Sequence, residues 1–298
     1  MARTIETVAE DLRTPSPTAI LRKRIFGHYG LVFGVVVLAI IVALALFAPL
    51  LTPHDPYAQD LLARMKPPFW MPGADPNHLL GTDFLGRDYL ARLLYGARIS
   101  LAIGLFAALI SGLIGTAMGV AAGYFGGRVD LVVTFLINVR LAMPVVLVAL
   151  AVVAILGGSL QVVVCVLGLL LWDRFAVVMR SVTMQVRAQE YVVAAKAIGC
   201  STPRIILTEI LPNVAAPLTV IATIEMATAI LYEASLSFLG LGVQPPLPSW
   251  GLMLAEAKEE IFFAPWMITM PGIALFILLM SVNLLGDGIR DLAAPGVR

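Results

Sequence analysis

Residues 190–213, EYVVAAKAIGCSTPRIILTEILPN, are a polar interruption between two apolar runs near residues 160–179 and 214–236. Tyr191, Ala194, Ala195 and Ile198 follow i, i+3, i+4, i+7 spacing, which predicts a helix from Glu190 with one narrow apolar stripe and small side chains at its centre. Gly199 is free to take the left-handed conformation that ends a helix. Ser201 or Thr202 is placed to cap a second helix with Pro203 in its first turn, and Pro212 to stop it. The reading is helix, sharp turn, short helix, lying at a membrane surface. Such a stripe suits a groove in another protein and equally an interfacial helix lying on lipid. Pattern alone leaves both open.

The rest of the chain supplies the membrane. Of 298 residues, 60% are hydrophobic and 13% charged, against about 25% charged in soluble domains, and the mean hydropathy is +0.94. A net charge of +1 offers no field for nucleic acid. Tyr29–Leu51 follows Arg22-Lys23-Arg24 and at about 1.5 Å per residue extends roughly 34 Å, enough to cross a core of about 30 Å. It is read as an uncleaved anchor, since a signal-peptide core is shorter. Spans near 29–51, 99–122, 130–156, 160–179, 214–236 and 266–286 predict an all-α, polytopic membrane protein with six transmembrane helices. The expected division is a tail over 1–28, a first helix over 29–51, a loop over 52–98, a five-helix core over 99–290 containing a surface loop over 181–212, and a tail over 291–298. Twelve Lys and Arg fall on the face that holds both termini and six on the other (Arg64, Lys66, Arg87, Arg92, Arg98 and Lys258). Positive-inside then predicts cytosolic termini and a cytosolic 190–213 stretch. Trp70, Trp250 and Trp266 are expected in an aromatic belt.

Ser111, Gly115, Gly119 and Gly123 recur every four residues, a row that lets helices approach closely in lipid. Arg140, Asp173, Arg174, Glu225 and Glu233 fall in or near spans, where charges usually face a bundle interior or a water path. Arg140, Glu225 and Glu233 are therefore candidates for a pore or gate. Glu225 and Glu233 lie about 80° apart on a helix, so both can face a pore; the alternative is helix-to-helix pairing, for instance with Arg140. Asp173-Arg174 reads as the snorkelling end of the fourth span. No lysine follows glycine, so there is no phosphate-binding P-loop. His28, His54 and His78 are too scattered for a metal set, and Cys165 and Cys200 have no metal-like spacing. Gly157-Gly158-Ser159-Leu160-Gln161 fails the nucleophile-elbow pattern at its last residue.

Residues 190–212 resemble the EAA loop of ATP-binding-cassette importer permeases: Glu-Ala-Ala, three residues, Gly, nine residues, Ile-x-Leu-Pro. Here Val193-Ala194-Ala195 leads by the same spacing to Gly199 and to Glu209-Ile210-Leu211-Pro212, with Val193 in the slot of the first Glu and Glu209 in that of the Ile. Leu80–Asp88 continuing to Leu94–Arg98, Glu233–Gly242 with Pro245-Pro246 and Trp250-Gly251, and Pro53-His54-Asp55-Pro56 are similar to signatures of the dipeptide, oligopeptide and nickel group, C-type subunit. The resemblance implies a type I importer permease in a bacterial inner membrane, not itself an enzyme. It implies a heterodimeric pore with a second permease, two cytosolic ATPases holding the loops, an extracytoplasmic binding protein, ATP and Mg in the ATPases, and no cofactor on this chain. Membrane lipid is an expected partner and nucleic acid is not. The implied coupling residues are Glu190, Tyr191, Ala194, Ala195, Ile198, Gly199, Arg204, Glu209, Leu211 and Pro212, and the implied cargo is a di- or oligopeptide. Alternatives are nickel or another small solute carried by the same group or, from other classes, a secondary transporter driven by ion gradients or an intramembrane protease.

Overall fold

The computed structural model describes residues 25–293, so the expected tails over 1–28 and 291–298 lie largely outside it. The described chain is helical, with an isolated bridge between Thr82 and Asp88. Helix α1 spans Tyr29–Leu46, with His28 Nδ1 accepting from the Leu31 amide at 3.1 Å. A short α2, Ala48–Leu51, completes the first span.

After a loop over 52–88, α3 spans Tyr89–Phe125. Asp88 caps it, one carboxylate oxygen accepting from the Ala91 amide at 2.7 Å. Its 37 residues extend roughly 55 Å, well beyond the hydrocarbon core. The helix therefore starts ten residues before the expected 99. Those early turns are held by a buried ion network: Asp83 lies 2.6 Å from both Arg87 and Arg92, and Glu256 lies 3.2 and 2.7 Å from the same two arginines. Burial pushes the Glu256 carboxyl up to about 7 against the pull of Arg87.

The third expected span is a bent pair. α4, Gly127–Leu141, and α5, Val145–Leu156, meet at 81°. Pro144 explains the bend, because it donates no amide hydrogen and disfavours helical backbone at Met143. α6, Leu160–Leu170, and α7, Trp172–Arg187, make one 28-residue span that outruns the expected end at 179. α8 spans Glu190–Ala197 and α9 Thr202–Ile205; a π turn at Ile206–Ile210 then leads directly into α10, Leu211–Phe238. α11, Trp250–Ala257, precedes α12, Trp266–Ala293. Five described helices are long and apolar enough to cross a membrane, and six spans result if the bent pair is one.

α3 is the central strut and packs against α1, α4, α6, α7 and α10. The predicted small-residue row lies along α7. A Cβ on Gly119 would stand 2.6 Å from the Ala176 carbonyl oxygen, and one on Gly123 would stand 2.7 Å from that of Arg180. The two backbones thus meet at a distance that only glycine permits, and close van der Waals packing of this kind drives helix association in lipid. Ser111 closes the row on α3, its hydroxyl returned to the Ala107 carbonyl at 2.8 Å. Trp250 and Trp266 are core residues, 4% and 8% exposed, rather than members of an aromatic belt. Trp250 fills the space beneath α11 and donates from Nε1 to the Leu93 carbonyl; Trp70 remains exposed. The loop over 52–88 and α11 gather at the start of α3, and the 190–213 stretch gathers at its end.

Candidate functional site

The helix–turn–helix is built from local chemistry. Gly199 has φ +83°, its amide bonds to the Lys196 carbonyl, and the Cys200 amide reaches the Ala195 carbonyl, each at 3.0 Å. This is the paired closure of a Schellman motif. The second helix begins as expected with Pro203 in its first turn, but neither Ser201 nor Thr202 makes a side-chain cap. Pro212 does not end it. Pro212 sits in the first turn of α10, and the π turn before it re-spaces the hydrogen bonds around the missing donor, the Leu211 amide reaching back to the Ile206 carbonyl. The Asn213 side-chain amide adds a bond to the Glu209 carbonyl at 2.6 Å. Residues 202–238 are consequently one rod.

α8 is anchored by Val192, which is fully buried among Val120, Tyr124, Met179, Ile205, Ile210 and Val214. Ala195 is turned partly into the same cluster, so the predicted stripe is divided. Tyr191 and Ile198 are 43% and 81% exposed, Ala194 is exposed, and Val193 and Leu207 extend the apolar surface. Glu190 and Arg204 are exposed beside them, while Glu209 and Leu211 are half-buried. Two cations clasp the end of α3: Arg187 donates to the Tyr124 carbonyl at 2.7 Å, and the Lys196 ammonium lies 4.7 Å from the Tyr124 ring centroid. Both favour the negative end of the helix dipole. Val192, Lys196 and Arg187 were invisible as a set in the sequence, since nothing local says which residue of an exposed helix faces inward.

A second cluster lies in mid-span. Asp173 and Arg174 sit at the centre of the span over 160–187, not at its end, because α7 continues to Arg187. Glu225, wholly buried, is paired with Arg174 at 3.2 Å rather than with Arg140, and the Arg174 side chain is 53% exposed. Arg140 serves the breaks in the helices: it donates to the Leu170 carbonyl at 2.6 Å, where α6 gives way to α7, and to Met143 at 3.3 Å, between α4 and α5. A small cavity is lined by Arg140, Asp173, Arg174, Thr228 and Tyr232 among others. Glu233 does not join this group. It is buried on α10 and accepts from Ser237 and Ser249 hydroxyls at 2.8 Å each, which ties α10 to the cap of α11.

Comparison with known proteins identifies the family and the fold. A family model described as a binding-protein-dependent transport system inner membrane component matches residues 115–298, and one described as the N-terminal TM domain of oligopeptide transport permease C matches residues 16–68. A di/tripeptide transport system permease of Pseudomonas aeruginosa is 39% identical, covering 95% of this chain and 94% of its own. The dipeptide permease of Escherichia coli is 37% identical over 98% and 99%, and a glutathione permease of Pectobacterium atrosepticum 36% over 91% and 88%. The inward-facing MetNI methionine ABC transporter shares the fold, with a TM-score of 0.57 at 19% identity over 68% of this chain and 97% of that one. With its helical spans, its surface helix–turn–helix and these relatives, the chain belongs to the inner-membrane components of binding-protein-dependent transport systems, the permease subunits of ABC importers.

Proposed function

We propose that this permease imports di- or oligopeptides, that it forms the pore with a second, related permease, and that Glu190–Pro212 receives the motion of two cytosolic ATPases. The observation that carries the reading is α8 itself, which is pinned from beneath by Val192 while presenting Tyr191, Ala194 and Ile198 outward. A helix lying on lipid needs a cationic polar face and freedom to move; a lever needs a rigid root and a small, shaped apolar face. ATP and Mg belong to the ATPases, an extracytoplasmic binding protein delivers cargo, and both termini face the cytosol. The peptide cargo follows the names of the relatives. A half-exposed arginine in mid-span fits a water-filled path or a partner's surface better than lipid, which makes Arg174 the pore-facing group, with Glu225 buried behind it as its partner.

The test is Ala194→Glu in the assembled transporter reconstituted in vesicles. The side chain is exposed, so the subunit inserts normally, while the added buried charge breaks the joint with the ATPase. ATP-driven peptide uptake is expected to fall by more than about tenfold, since an unpaired charge at an interface costs 2 kcal/mol or more. Unchanged uptake would overturn the assignment of this face.

A further inference from the structure

Two of the three histidines, His54 and His78, are far apart in sequence but meet in space, while His28 pairs with Asp291. His54 lies near the start of the loop over 52–88, His78 ten residues before its end, and Asp88 ends it as the cap of α3. His78 Nδ1 stands 2.8 Å and His54 Nδ1 3.4 Å from the same Asp88 oxygen, Oδ2. The two rings are tilted by 34° with centroids 4.8 Å apart, and the three ligand atoms all lie within 4.8 Å of one another.

We infer that His54, His78 and Asp88 form a binding site for a divalent transition-metal ion of the zinc type on this loop. Two imidazoles and one carboxylate are the borderline donor set that suits Zn²⁺ and disfavours Mg²⁺ or Ca²⁺, which take oxygen. Bonds of about 2.0–2.1 Å in tetrahedral array place ligand atoms roughly 3.4 Å apart; the two imidazole nitrogens lie 2.8 and 3.4 Å from Asp88 Oδ2 and the set spans no more than 4.8 Å, so side-chain rotations would bring the three atoms to that spacing. A water completes the fourth position. The carboxylate is already oriented: Oδ1 is held by the Ala91 amide at 2.7 Å, leaving Oδ2 for the metal. This is the fixing of a ligand by an outer partner that metal sites need. Asp88 is 4% exposed and the His54 side chain 35%, which supplies both a dry floor and an entry path. The neighbouring Arg87 does not oppose a cation, because its guanidinium is committed to Asp83 and Glu256. On binding, the proton that an imidazole shares with Oδ2 leaves Nδ1, the ring adopting the tautomer protonated at Nε2. The ion would staple the two ends of the loop together and lock the end of the first span to the head of α3.

The intact transporter, stripped with chelator and then incubated with ZnCl₂ in the presence of excess Mg²⁺, tests this by elemental analysis after buffer exchange and by X-ray absorption. The wild type is expected to retain one additional Zn²⁺ per copy of this chain, with nitrogen and oxygen in its first shell. His54→Gln and His78→Gln each lower the affinity by roughly a hundredfold, the upper end of what loss of a mere outer-shell partner does. Asp88→Asn keeps a capping side chain and hence the fold, yet removes the anionic ligand and the bound ion. If wild type and the three variants retain equal zinc, or none at a concentration that loads a known micromolar site, the cluster is only a hydrogen-bonded staple and the inference fails. The readout is metal content, so it stands apart from whether the protein carries peptides.

Discussion

At the scale of single residues, Gly199 and Arg174 make sharp predictions. A Cβ at Gly199 would meet no atom within 4 Å, so a substitution there is strained only by its backbone, at φ +83°. Left-handed backbone costs an L-residue about 1–2 kcal/mol, and more for a β-branched one. Gly199→Val is therefore expected to leave membrane insertion intact while misaligning α8 against α9; ATPase activity persists and uptake falls. Measuring both in one vesicle preparation decides it, and coupled transport at the wild-type ratio would count against the turn as a transmission point. Arg174→Ala strands the buried Glu225 carboxylate. Breaking a charge-assisted bond of this kind costs about 2 kcal/mol, reduced on the arginine side because that side chain is half in solvent. Thermal unfolding in detergent should show the loss, and Arg174→Ala combined with Glu225→Gln should recover most of it. A double variant as unstable as the single would show that the pairing is not the cause.

At the scale of elements, the α3–α7 seam and the π turn matter most. Gly119→Val puts branched carbon against the Ala176 carbonyl and Met179 Cβ, 2.6 and 2.8 Å from the first added atom. Overpacking of this order costs roughly 1–3 kcal/mol and forces the helices apart. The expected outcome is a lower melting temperature and reduced recovery of the folded subunit, whereas Gly112→Ala, whose added carbon would meet only the Phe175 ring edge at 3.3 Å, should be close to neutral. Equal effects at both positions would defeat the packing argument. The π turn has a different consequence. It joins α9 to α10, so a force applied at α8 and α9 enters a rod that carries Glu225 and Glu233. Proline here marks a re-spaced helix rather than a stop.

At the scale of the whole molecule, the two ends of α3 do different work. One end seats α8 and α9, through Tyr124, Val192, Lys196 and Arg187; the other is fastened by the Asp83–Arg87–Arg92–Glu256 network and by the histidine pair on Asp88. They are separated by about 55 Å of helix, with the mid-span pair Arg174–Glu225 between them. The lipid-sized apolar faces of α1 and α4, where Phe33, Leu46, Leu131 and Phe135 are half or more exposed, need a bilayer or a partner helix to cover them.

The amino-acid order by itself determined that this chain is a bundle of membrane spans, where its small-residue row lies, and that a helix breaks at Gly199 before Pro203. Each of these is local: apolar length against bilayer thickness, i+4 spacing, and the backbone freedom of one glycine are all written in consecutive residues. Only the tertiary structure decided that Val192 is the inward anchor of α8, that Pro212 is absorbed by a π turn, that the span over 130–156 is bent, that Glu225 meets Arg174 while Arg140 serves carbonyls at two helix breaks, and that His54 and His78 converge on Asp88. Those depend on which distant segments come within a few ångströms of each other. Burial and pairing energies act between residues 10 to 169 positions apart, and no local sequence pattern encodes which of them meet.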